Sequence, residues 1–290
     1  MVAETQLRVM APADVSAGLR LCRQSRWNQR AADWEQFLRS TPDGVLVAER
    51  DGRVIGSVAT IRYGRSLAWV AMVLVDPAER GRGVGTALLH RGLEAVADVP
   101  TVGLDATSQG QPLYERLGFV VETHFTRMER GAGGPAPGGA QPGSAAASHA
   151  VRSAVQSDRD TVVALDLRAT GVPRVAMLDW LCSSAPDAAY VCDKPPEGFL
   201  LGRRGHACEQ IGPVVAIEQA CARALVERWL ADHPDQRVLI DVADAQPGWR
   251  DALERLGFTT QRTFARMYRG VSPPPADASL VYASIGPEFG

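Results

Sequence analysis

Two spacings of apolar residues alternate along the first half of the chain. "QLRVM" (6–10) alternates apolar and polar positions and predicts a strand, whereas 12–24 and 30–40 repeat apolar residues at helical intervals, with Trp34, Phe37 and Leu38 among them. "GVLVAERDGRVIGSVATIRYG" (44–64) predicts two strands joined by an Asp51-Gly52 turn, the dipeptide that best suits a tight hairpin. "SLAWVAMVLV" (66–75) predicts a further strand, closed by Asp76-Pro77. Residues 83–97 return to helical spacing, with Val84, Ala87, Leu88, Leu93 and Ala95 facing inward; a strand (101–106), a short helix (109–117) and a last strand (118–129) follow. The order β-α-α-β-β-β-α-β-α-β predicts an α/β (α+β) domain with an early antiparallel meander.

The pattern stops at "GAGGPAPGGAQPGSAAASHA" (131–150), a stretch with too few apolar side chains to offset the entropy of ordering it. It predicts a linker between domains at 1–130 and 151–290. The flanking segments resemble each other. Leu117-Gly118-Phe119 matches Leu256-Gly257-Phe258, and Arg127-Met128 matches Arg266-Met267, all 139 positions apart. A constant offset across two motifs indicates a duplicated domain. The tail "ASLVYASIGPEFG" alternates like a strand and is expected to complete the second sheet. Whether the tail or the linker crosses over to complete the first sheet stays open.

Composition narrows the function. With 46% hydrophobic residues, 22% charged residues and a net charge of −2, the chain offers no basic surface for nucleic acid or acidic membrane. Five cysteines in no CxxC pairing suit a reducing compartment. There is no signal-peptide pattern at the start and no apolar run long enough for a membrane span, so the expected location is the cytoplasm. No metal site is expected, and monomer and homodimer are not distinguished.

The candidate chemistry lies in "DPAERGRGVGTALLHRGL" (76–93), where Gly81, Gly83 and Gly85 lead from a strand into a helix. Glycine admits positive φ and close approach of a ligand, and the first N–H groups of a helix are free to bind an anion. Arg80 and Arg82 add charged donors. A Walker A loop would need a lysine that is missing here. A dinucleotide fingerprint would need GxGxxG directly after its strand, although Asp105 lies at a suitable distance for a ribose-binding acid. That option is weakened but stays open, and a third class is the pyrophosphate loop of an acyl-CoA.

The pattern Arg80-x-x-Gly83-x-Gly85, after "VDP" and before a helix, resembles the cofactor signature of the GNAT superfamily of acyl-CoA-dependent N-acyltransferases. "DATSQGQPLYERLGF" (105–119) resembles the segment that follows it in that family. The resemblance covers roughly residues 5–130. It implies two GNAT-like domains, each a mixed, mostly antiparallel twisted sheet flanked by helices, with acetyl-CoA as cosubstrate. The implied cofactor-binding residues are Met72, Val73, Leu74, Val75, Arg80, Gly81, Arg82, Gly83, Val84, Gly85, Thr86, Ser108 and Tyr114. Strand 67–75 would splay from strand 101–105, and the pantetheine arm would pair with Met72 to Val75. A backbone N–H near Leu74 would polarise the thioester carbonyl, and Tyr114 would act as general acid; at helical spacing from Leu117, Tyr114 also fits a core position. Asp76, Glu79, Glu122 and His124 are open candidates for the base. Trp27, Asn28 and Gln29 fall where this fold shapes the pocket for a small-molecule amine, and equally suit a helix cap.

In the second half the glycines are missing. Gly81, Gly83 and Gly85 correspond to Ile217, Gln219 and Cys221, Glu218 brings a negative charge, and Tyr114 corresponds to Leu253. The second copy is therefore expected to be degenerate and to bind no CoA. Arg203, Arg204 and His206 are candidates to wall the acceptor pocket. Two further readings share the glycine turn: a non-catalytic acyl-CoA sensor and a dinucleotide-dependent oxidoreductase.

Overall fold

The hairpin forms as expected. β2 (Val45–Arg50) and β3 (Arg53–Tyr63) pair antiparallel from Arg50↔Arg53 to Val45↔Ala59, and Asp51 and Gly52 take positive φ at the turn. The structure is a computed structural model that describes residues 4–134, 149–193 and 196–290; most of the expected linker lies outside the described residues. The chain divides into two units, and these do not follow the two sequence halves. Unit 1 comprises residues 1–120, 267–273 and 288–290; unit 2 comprises 121–266 and 274–287.

In unit 1, β1 (Gln6–Val9), α1 (Val15–Gln24) and α2 (Ala31–Ser40) precede the hairpin. β4 (Leu67–Val75), α3 (Val84–Glu94), β5 (Thr101–Thr107) and α4 (Gln111–Arg116) follow it. The strands run in the order β1-β2-β3-β4-β5, antiparallel except for β4 and β5. The α3 face of β3 is set by the two-residue period of the strand: Gly56, Val58 and Thr60 meet Val84, Leu88 and Gly92. Ser57 and Tyr63 therefore point to the opposite face, where α1 and α2 pack. In α3 the inward stripe is Val84, Leu88, Leu89, Gly92 and Leu93. Ala87, expected inside, is exposed, and Leu89 takes its place.

No separate strand of the tail lies beside β5. The last residues of β12 (Thr259–Gly270) do, with the residue after them: Val271 N–H donates to Pro100 O at 3.0 Å, Thr101 Oγ1 to Val271 O at 3.1 Å, and Tyr268 meets the Trp69 ring edge-on at 6.2 Å.

Unit 2 repeats the plan. β6 (Val120–Arg130) enters it at Val121. β7 (Val151–Ser153), α5 (Arg159–Thr170), α6 (Val175–Ser184), β8 (Tyr190–Cys192) and β9 (Gly198–Arg203) come next. β10 (Glu209–Ala216), α7 (Gln219–Asp232), β11 (Val238–Ala243), α8 (Trp249–Arg255) and β13 (Val281–Ala283) complete it with the start of β12. β6 pairs antiparallel with β11 from Val238↔Arg130 to Ala243↔Phe125. Beneath that ladder Arg127 forks onto buried Asp241 through two 2.7 Å hydrogen bonds, a bidentate geometry that a lysine could not reproduce. Trp229, Trp249, Leu225, Leu253 and Phe258 fill the core. Of the tail, only 281–283 forms a strand, and residues 288–290 return to unit 1. Among the described residues no helix is long and apolar enough to cross a membrane.

Candidate active site

The site in unit 1 begins as a fork between two parallel strands. β4 and β5 pair through Leu67↔Thr101, Ala68↔Val102 and Trp69↔Gly103, and both strands run on beyond that last pair, to Val75 and Thr107. At the vertex the Trp69 indole lies against Gly103, where a Cβ would sit 2.5 Å from the ring. β4 also carries a bulge. Ala59 faces Ala71 and Ser57 faces Leu74, so Met72 and Val73 stand opposite one residue of β3. Met72 has φ +54°, a left-handed conformation that costs a non-glycine residue about 1–3 kcal/mol. Buried Ser57 supports it by donating its hydroxyl to Met72 O at 2.8 Å. Sequence reasoning missed Ser57, although a serine inside the apolar run "VIGSVATI" was a visible signal.

Beyond β4, Gly81 (φ +74°) and Gly83 (φ +79°) turn the chain into α3, with Gly83 as its N-cap. A Cβ on either would meet nothing within 4 Å, so the backbone borders open space. The first N–H groups of α3 lack intrahelical acceptors there, and the helix dipole adds partial positive charge. Exposed Arg80 and Arg82 flank the turn; Arg80 Nε donates to Val75 O at 3.2 Å and Arg82 pairs with Glu79 at 3.1 Å. Gly85 and Thr86 belong to the first turn of α3 and are half-buried. The side chains of Met72, Leu74 and Val84 are buried, so these residues offer backbone only; Val73 and Val75 are half-buried. This cation-flanked backbone, open on the side of Gly81 and Gly83, suits a diphosphate.

Ser108 is exposed just past β5, and half-buried Tyr114 on α4 packs edge-on against Phe119 at 6.1 Å. Burial pushes the Tyr114 phenol up to about 12. Two of the expected base candidates are committed elsewhere. Asp76 is buried, and although burial works to raise its carboxyl, the Ala78 N–H and the Arg20 and Arg53 guanidiniums hold it below the usual carboxylate range. Glu79 pairs with Arg50 at 2.5 Å. Glu122 and His124 belong to unit 2.

The loop between α1 and α2 is pinned by Arg23, which donates to Trp27 O (2.9 Å) and Gln29 O (2.7 Å). Trp27 and Asn28 are half-buried and Gln29 is buried. The helix cap is not formed by these residues: Arg30 is the N-cap of α2, and its N–H is held by Asp33.

Unit 2 builds the same fork and fills it. β10 and β11 pair parallel from Glu209↔Val238 to Ile211↔Ile240, and then β13 enters between them. Val214 and Val242 both face Ala283, Val215 faces Val281, and Ser284 N–H donates to Asp241 O at 2.9 Å. Gly212 permits the insertion, since a Cβ there would sit 1.9 Å from Ser284 O. Trp249, which occupies the position of Gly110 in the repeat, clasps the inserted strand: its Nε1 donates to Tyr282 O at 3.0 Å. Residues 76–83 of unit 1 have as counterpart only Ile217 and Glu218, and Glu218 caps α7 in an extended conformation, so that Glu218 and not the expected Gln219 stands in the place of Gly83. Leu253, at the position of Tyr114, is fully buried. Arg204 is held by Asp187 and Glu209, Arg203 is buried in β9 and His206 is exposed.

His149, Cys192 and Asp193 in unit 2 bring ligand-type atoms within 4.8 Å of one another. His149 Nδ1 and Asp193 Oδ2 lie 2.6 Å apart, a direct hydrogen bond; two ligands on one tetrahedral zinc at about 2.0 Å each would stand roughly 3.3 Å apart.

Residues 41–121 and 162–283 each match a family model described as an acetyltransferase (GNAT) domain. The chain belongs to the GNAT superfamily. It is a tandem GNAT protein and an acyl-CoA-dependent acetyltransferase; GNAT acetyltransferases use acetyl-CoA. It is similar to the holothin acyltransferase of a Pseudoalteromonas species, with 26% identity over 86% of this chain and 82% of the relative. A mycothiol acetyltransferase of Acidimicrobium ferrooxidans is 33% identical over 35% of this chain and 38% of its own length. Among solved structures, one described as a putative acetyltransferase from Pyrococcus horikoshii superposes with a TM-score of 0.81 at 21% identity, covering 99% of this chain and 96% of that one.

Proposed function

We propose that unit 1 moves the acetyl group of acetyl-CoA to a primary amine of a small molecule by direct attack in a ternary complex, and that unit 2 catalyses nothing. One observation carries this reading: the fork of unit 1 opens toward a left-handed glycine turn, whereas the equivalent fork of unit 2 is filled by β13 and has no such turn. The backbone N–H groups at 81–86, with Arg80 and Arg82, would hold the diphosphate. The edge of β4 at Met72–Val75 would receive the pantetheine amides, with Ser108 and Tyr114 near its thiol end. The cosubstrate supplies an acetyl group activated as a thioester.

The remaining work falls to this chain. The bulge at Met72, supported by Ser57, interrupts the register of β4 with β3 beside the fork, and the backbone N–H of Leu74 is the proposed donor to the acetyl carbonyl oxygen. Tyr114 keeps its proton at Oη well above neutral pH because burial disfavours the phenolate, which suits a general acid. The α1–α2 loop with Trp27, Asn28 and Gln29 shapes the acceptor side. Isothermal titration with acetyl-CoA, followed by CoA release with primary amines, tests this. One saturable site per chain and amine-dependent release are expected; no binding, or binding of NAD(P) alone, overturns it.

A further inference from the structure

Four side chains of metal-ligating type meet where β8 ends. Cys192 is the last residue of β8 and Asp193 follows it; His149 stands two residues before β7, and Cys221 lies in the first turn of α7. All four belong to unit 2. Asp193 Oδ2 is a point of convergence: His149 Nδ1 lies 2.6 Å from it, and the Cys192 thiol donates to it at 3.4 Å. The Ala150 N–H donates to Asp193 Oδ1 at 2.9 Å and so fixes the orientation of the carboxylate.

Cys221 reaches the same place across the β8–β9 ladder. Gly198 is the residue opposite Cys192, and a Cβ on it would sit 2.5 Å from Cys221 Sγ. The glycine thus leaves its side-chain space to the second thiol, which hydrogen-bonds to the first. Both cysteines are buried, at 0% and 1% exposure.

Thiols are weak hydrogen-bonding groups, so two buried thiols gain little from each other or from a carboxylate. Two sulfurs, an imidazole nitrogen and a carboxylate oxygen are, in contrast, donors that zinc takes four at a time. Sulfur at about 2.3 Å and oxygen at about 2.0 Å from a tetrahedral ion stand about 3.5 Å apart. Cys192 and Asp193 are 3.4 Å apart. The His149–Asp193 pair opens from 2.6 Å to about 3.3 Å once no proton lies between the two atoms. His149 belongs to no helix or strand, which permits that shift. An ion between four donors needs no separate cavity, and the His149 and Asp193 side chains, 12% and 24% exposed, give the set a side open to solvent.

We propose that His149 Nδ1, Cys192 Sγ, Asp193 Oδ2 and Cys221 Sγ form a tetrahedral zinc site in unit 2. The two thiol protons pass to solvent on binding, and the imidazole, in its neutral form, carries its proton on Nε2. Four protein donors leave the ion no open position, which makes the site structural. It ties the segment before β7, the end of β8 and the start of α7 together. The inference is independent of the function proposed for unit 1.

Calorimetric titration of the full chain, kept reduced with a phosphine, with zinc chloride tests this; cobalt chloride serves as the spectroscopic probe. One saturable zinc site per chain is expected, and bound Co2+ should show the intense visible bands of tetrahedral coordination with thiolate-to-cobalt charge transfer. Cys221→Ser and His149→Gln should each weaken zinc binding at least about 100-fold, while Cys182→Ser, on α6 and outside the cluster, leaves it unchanged. No zinc binding to wild type, an octahedral cobalt spectrum, or unweakened affinity in either variant overturns the proposal. Should Cys221→Ser not fold, His149→Gln at the open side of the set still decides.

Discussion

The two forks start from the same register and end in opposite states. In each, three parallel pairs bring two strands together, and then the strands part. In unit 1 the space beside β4 is bordered by a bulged backbone, and the chain leaves β4 through an eight-residue turn, 76–83. In unit 2 the chain's own β13 hydrogen-bonds to both arms, and two residues suffice to reach α7. The substitutions cooperate. Trp249 at the place of Gly110 supplies the clasp for β13, and Leu253 at the place of Tyr114 becomes core. Backbone groups left unsatisfied by the protein are costly; the inserted β13 satisfies those of the unit 2 fork from within the chain.

The contrast can be broken most sharply at the glycine turn. Gly83→Val would force a β-branched residue to φ +79° and put a side chain in the open space, so acetyl-CoA affinity should fall at least about 100-fold by calorimetry, while Glu218→Val, at the equivalent N-cap of unit 2, leaves it unchanged. Tyr114→Phe should lower kcat about 100-fold with unchanged acetyl-CoA affinity, and an indifferent response would favour a sensor. The proton donor is present below its pKa and lost above it, so with the phenol near 12 the wild-type rate should show no decline from Tyr114 through pH 10 in a pH–rate profile. Ser57→Ala leaves Met72 O without its hydroxyl donor; a stability loss of about 1–3 kcal/mol by urea unfolding and a roughly tenfold fall in kcat/KM are expected. The smallest effect sharpens the comparison most. Placing glycine at Glu218 and Ala220 should leave the stoichiometry at one acetyl-CoA per chain, because β13 still occupies the fork.

Much of this was legible before the structure. The strand and helix order, the Asp51-Gly52 turn, the duplication and the glycine turn all depend on local spacing and on φ preferences, which neighbouring residues determine. The contents of the second fork were not legible. "SLVYAS" has the alternation of an ordinary strand, and nothing in it says that it enters between two others. The donors at 149, 192, 193 and 221 gave no sign either, because the cysteines stand in no CxxC spacing and the fold alone brings them together. The bulge at Met72 is similarly silent, since the two-for-one pairing is a property of β3 and β4 together.

Because 267–273 and 288–290 belong to unit 1 while 121–130 belong to unit 2, neither unit is spelled by an uninterrupted stretch of the gene. A cut at the Gly/Pro/Ala-rich segment would deliver two fragments, each lacking a strand encoded on the other. Such an arrangement acts as a ratchet on descent: once the repeats came to share strands, neither could be discarded without taking a strand from the other.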